Sequence, residues 1–211
     1  MTLELLAIAE AGPFDEVVSA RVDMVRGQIA FASGLGSDAA PLLLKAAKRL
    51  EPLHLDLARE TYLSAWMAAL FAGRLASAGD LLEVCRAVRA LPPRADPRTV
   101  DLVLDGLALI VTDGPAAAAP ALKQAVRTFV DADIPEEDAL RWGWLAQAAA
   151  SALWDDDSWR TLLVRQVRLA REAGALDELP VMLNALGTAA VWAVTSRRPR
   201  PWSPRSRRSA R

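Results

Sequence analysis

Apolar residues recur three and four positions apart along this chain, in runs broken by Gly, Pro and Asp, and the runs restart about every forty residues. First helices of helical hairpins are expected to open near Asp15, His54, Asp96, Asp133 and Ala175. Helix-pair repeats have a period of that size. Each pair buries its apolar stripe only against its neighbours, so the pairs stack into a solenoid that offers a surface rather than a closed catalytic pocket. The pattern predicts an all-α fold, with residues 1–194 forming about four and a half helix pairs.

The punctuation falls where such pairs need it. Gly34 to Ser37 separate two apolar runs, with Ser37 or Asp38 expected as N-cap and Pro41 expected in a first turn. Gly73 and Arg74 divide Leu55 to Ala72 from Leu75 to Leu91, and Pro92 and Pro93 close the second helix. Asp96 with Pro97, and Asp133 with Pro135 and Glu136, read as N-terminal signals. Gly114 with Pro115 joins two helices, and Gly174 ends another. Leu63, Met67, Leu70 and Phe71 share one helical face, and Leu81, Leu82, Cys85 and Val88 share another; both are expected to be buried. Ala65, Ala68, Ala69, Ala72, Ala76 and Ala78 are placed where two helices cross. This resembles tetratricopeptide packing and predicts a right-handed α-solenoid. A fifth first helix, Leu176 to about Val194, is followed by no second one, so an uncovered face and self-association through it are expected.

Composition sharpens the picture. The chain has 211 residues, 53% of them hydrophobic and many of them alanine, which favours helix over sheet. The formal net charge is -1, but residues 1–196 hold 18 basic and all 26 acidic groups, while 197–211 hold seven arginines. An acidic body thus precedes a basic Arg/Pro/Ser tail, residues 195–211, which cannot bury enough apolar surface to fold and is expected to be disordered. Nucleic acid is an expected partner only if that tail binds it. Cys85 is the single cysteine, which excludes an intramolecular disulfide and a cysteine-based zinc site and fits a cytoplasmic setting. No secretory leader or membrane span is read, and no P-loop pattern occurs.

Candidate chemistry is thin. Asp155, Asp156 and Asp157 could attract a hard cation, but at a helix junction their expected role is capping. Glu136, Glu137 and Asp138 are read the same way, and His54, the only histidine, is expected to cap or lie on the surface. Four tryptophans, Trp142, Trp144, Trp154 and Trp159, fall within eighteen residues and are expected to fill gaps between hairpins. Trp142 and Trp144 cannot share one helical face, which directs one of them toward a groove. No enzyme activity, metal or cofactor is expected.

Three segments go beyond generic helix: Leu42 to Leu75, Leu102 to Leu109 and Ala139 to Gly187. Their phrases LARETYL, FAGRL, LWDD and LAREAGAL, in this order and spacing, resemble the central helical-repeat region of the large ATP-binding LuxR-type (MalT-like) transcriptional regulators of actinobacteria. The resemblance covers roughly residues 20–192 and implies a scaffold that senses a protein partner or small effector on its concave face. The ATP-binding and helix-turn-helix domains of that family have no counterpart here, so no ATP- or DNA-contacting residue carries over. Arg59, Tyr62, Trp66, Arg141 and Trp144 are the expected partner contacts.

Overall fold

A computed structural model describes residues 15–33, 36–72, 80–131, 134–176 and 179–195. Among these residues the chain is all-helical and contains no strand. The helices are α1 (Glu16–Ala32), α2 (Gly36–Leu50), α3 (Leu55–Ala72), α4 (Asp80–Ala90), α5 (Thr99–Thr112), α6 (Pro115–Asp131), α7 (Glu136–Ala152), α8 (Asp156–Glu172) and α9 (Leu179–Thr195). None of them is long and apolar enough to cross a membrane.

Side chains close the helix starts. Asp15 accepts from the Val18 amide at 2.8 Å, His54 Nδ1 from the Leu57 amide at 3.2 Å, and Asp155 from the Ser158 amide at 3.2 Å. These satisfy amides that have no partner inside the helix. The sequence assigns the start of α5 to Asp96 and Pro97, but the helix begins at Thr99. The Asp101 carboxylate reaches back to the Arg98 amide at 2.9 Å and fixes the start there. Helix α7 has Pro135 at its N-cap, and the expected capping Asp133 lies outside the described residues. Pro41 is inside α2 rather than in its first turn, and Pro120 is inside α6; both are exposed. Gly114 (φ 91°) and Gly174 (φ 70°) adopt the left-handed conformation that ends a helix.

Each helix packs on the next, and contacts also run between alternate helices: α1 with α3, α3 with α5 and α5 with α7 on one side, α2 with α4 and α6 with α8 on the other. One main core extends from Ala30 in α1 to Leu162 in α8. A small separate cluster, Val167, Ala170 and Met182, attaches α9 to α8. Ala65, Ala68, Ala69 and Ala72 are buried as expected, while Ala76 and Ala78 lie outside the described residues.

Close approach within three of the pairs depends on glycine. A Cβ on Gly27 would lie 2.6 Å from Leu43 Cγ, one on Gly106 would lie 2.3 Å from Leu122 Cδ2, and one on Gly143 would lie 2.2 Å from Gln166 Oε1. The first and third pairs share more than this. Gly27 and Gly106, Ala39 and Ala118, Pro41 and Pro120, Leu43 and Leu122, and Leu50 and Phe129 keep one constant separation along the chain. The alanine and leucine positions, with Leu50 and Phe129, are buried in both pairs.

Candidate functional site

Helix α3 carries one cation, Arg59, with Asp56 and Glu60 beside it, and helix α5 carries two acids one turn apart, Asp101 and Asp105. The structure brings them together. Arg59 Nε donates to Asp101 at 2.8 Å and Nη2 to Asp105 at 2.6 Å, with Arg59 only 2% exposed and Asp101 without exposed surface. Arg98 donates through Nε to Asp101 at 3.2 Å and through Nη1 to Glu60 at 3.0 Å. Arg141 of α7 reaches Glu60 at 3.2 Å, and Arg94 pairs with Asp56. Four arginines and four carboxylates thus tie α3, α5 and α7 together.

Protonation follows from these partners. Burial pushes the Asp101 pKa up, but Arg98 and Arg59 outweigh it and hold the carboxyl below its usual range. The hydrogen bond from Arg94 lowers Asp56. At Asp105 burial prevails over Arg59 and the pKa rises. The network is charge-balanced and links α3, α5 and α7 through paired, partly buried groups.

Three of the five expected partner contacts are therefore interior. Arg59 belongs to the network. Tyr62 has no exposed surface and donates its hydroxyl to Glu51, and burial with Glu51 beside it pushes its pKa far up. Trp66 is buried. Beside it the Cys85 thiol is pushed up to about 11 by burial, with the Trp66 indole pulling the other way. A thiol so placed is inert.

Arg141 and Trp144 reach the surface, at the junction of α1, α3 and α7. Phe31, Phe71 and Trp144 form an edge-to-face chain with ring centroids 6.0 and 6.3 Å apart. Beside it is a recess of about 170 Å³ lined by Phe31, Leu43, Met67 and Trp144, with Gln28, Ser64 and Arg141 among its polar groups. The Arg141 guanidinium lies 4.5 Å above the Trp142 ring, which is itself buried. Phe71 is 61% exposed and Leu70 is exposed beside it. The sequence places both with Leu63 on a buried face, but only Leu63 is fully buried, because the last turns of α3 turn the Ala65, Ala68, Ala69 and Ala72 face to the core instead. Phe31 and Gln28 have no sequence signal of their own, since their role depends on α7 arriving from more than a hundred residues away.

The other tryptophans divide. Trp159 packs on the core, while Trp154 is 77% exposed, has φ 56° and meets Trp192 of α9 edge to face. Asp155 caps, and Asp156 and Asp157 are exposed in the first turn of α8. Among the described residues no group of three His, Cys, Asp or Glu side chains is placed to hold a metal ion. Compared with known protein families, curated proteins and solved structures, the chain matches none.

Proposed function

We propose that the chain is a non-catalytic interaction or effector-sensing scaffold, built from tetratricopeptide-like hairpins in a right-handed α-solenoid. It resembles the central repeat region of LuxR-type regulators. The alternate-helix contacts and the matched positions of the first and third pairs support the repeat reading. The observation that carries the functional reading is the aromatic chain of half-buried Phe31 and Trp144 with exposed Phe71 beside its recess. About 170 Å³ is too small for a drug-sized ligand but fits one aromatic ring or one large apolar side chain, the size of an interaction hot spot. The concave face thus takes an apolar anchor from a peptide or small effector, with Gln28 and Arg141 at the rim orienting it.

Thermal-shift screening of small aromatic compounds and apolar peptides tests this. A ligand that raises the melting temperature of the wild type and not of the Phe71→Ala, Trp144→Ala double variant supports the reading. A ligand that shifts both equally places binding elsewhere and contradicts it.

Self-association through α9 has a separate observation in its favour. The helix contains no charged residue in 17 and exposes Val181 and Leu183. Leu183→Glu is expected to abolish concentration-dependent sedimentation; a wild type that stays monomeric at all concentrations removes this part of the proposal.

A further inference from the structure

Charge is divided between the two sets of helices. The odd-numbered helices α1, α3, α5, α7 and α9 hold four basic and nine acidic residues, and the even-numbered helices α2, α4, α6 and α8 hold eleven basic and seven acidic. The pairing differs as well. Arg59 and Arg141 of the odd set are bound to carboxylates, with Arg21 the unpaired exception. In the even set Lys45, Arg86, Lys123, Arg127, Arg160, Arg168 and Arg171 are exposed, and none makes an ion pair or hydrogen bond among the described residues.

Arg127 and Arg168 of this set are each the thirteenth residue of their helix, a position that Lys48, paired with Glu83, holds in α2. Cations near helix C-termini complement the dipole, but that effect acts only over the last turn and does not require Lys123 or Arg160, which lie further in. Two shallow hollows lie on these helices: one between α2 and α4 lined by Lys45 with the paired Lys48 and Arg49 and by Glu83, the other on α6 lined by Lys123, Arg127, Gln124, Thr128 and Asp131.

We infer that the exposed face of α2, α4, α6 and α8 is a docking surface for the phosphodiester backbone of double-stranded nucleic acid. The contacts of α2 with α4 and of α6 with α8 set these cations side by side in two groups, each wide enough to meet several successive phosphates. Five of the seven unpaired cations are arginines, whose planar fork matches phosphate oxygens in a bidentate manner, and the Gln124 amide adds a neutral donor of the kind that contacts phosphate. Binding is sequence-independent and separate from the aromatic recess.

Fluorescence anisotropy of the full chain with a labelled mixed-sequence DNA duplex of about 20 base pairs, between about 50 and 200 mM salt, tests the inference. The basic tail is present in every variant and contributes a constant background. The quadruple variant Lys123→Glu, Arg127→Glu, Arg160→Glu, Arg168→Glu is expected to bind at least about tenfold more weakly at about 100 mM salt and to lower the salt slope by about 2–4. The corresponding glutamine variant, which removes charge without reversing it, is expected to lower the slope by a similar amount. Arg21→Glu, on the other set of helices, leaves both unchanged. Equal binding by the wild type and both quadruple variants overturns the inference, as does an equal loss in Arg21→Glu. Vesicles of anionic phospholipid or polyglutamate that compete better than unlabelled duplex also overturn it, by assigning the surface to a membrane or an acidic protein.

Discussion

Asp101 has no exposed surface, yet its pKa lies below the usual carboxylate range, because Arg98 and Arg59 surround it. Removing one partner of such a buried pair strands the other charge, so Asp101→Asn is expected to cost about 3–5 kcal/mol in chemical denaturation. The sign with pH follows. An unfolded aspartate titrates near 4. With the folded value lower, the contribution of Asp101 is complete above pH about 4 and is lost as pH falls through the folded pKa. Asp105, raised by burial, works in the opposite sense: it costs stability above its folded pKa and stops doing so once protonated. Denaturation curves between about pH 2 and 7 should therefore show a shallower acid limb in Asp101→Asn than in the wild type. Cys85, pushed up to about 11, is expected to ignore a thiol reagent at mildly alkaline pH until the chain unfolds. Arg59 shows why residue roles were harder to read than residue environments. A lone arginine on α3 looks like a surface contact until Asp101 and Asp105, some forty positions on, are seen opposite it. The spacing of those two acids on an apolar helix was the signal that could have revealed the pairing.

Helices were the most legible element, because apolar periodicity and the stop residues act locally. Leu55 to Ala72 is helical over the expected span, and Gly114 and Gly174 end helices through positive φ. The start of α5 was less legible, since it is set by Asp101 reaching back to Arg98 rather than by the more obvious Asp96. Within the pairs, glycine at the crossing point has a direct consequence. Gly106→Ala gains helix propensity of about 1 kcal/mol but drives a Cβ into Leu122, so a net loss of about 1–3 kcal/mol is expected. Combining it with Leu122→Ala should cost less than the sum of the two single changes, the mark of a shared space. Helix α9 is held by a small cluster through Met182, whereas α3 buries eleven residues. Native-state hydrogen exchange should thus show α9 opening at the lowest free energy of these helices, well before α3.

At the scale of the whole molecule, the order of helices along the chain accounts for most neighbours, since each helix packs on the next. It does not account for α3 meeting α7. That junction, made by Arg141 with Glu60 and by Phe71 with Trp144, joins residues some seventy to eighty positions apart, which no local pattern records. Trp144 and Arg141 were legible as candidates from their residue types; the recess they share with Phe31 and Met67 was not. The central claim is that this recess binds an apolar anchor, and crystallographic soaking with single-ring aromatic fragments tests it most directly. The account predicts fragment density in the recess between Phe31, Met67 and Trp144, lost in crystals of Trp144→Ala. Fragments that bind only elsewhere, or that occupy the recess equally well without the Trp144 ring, would contradict it.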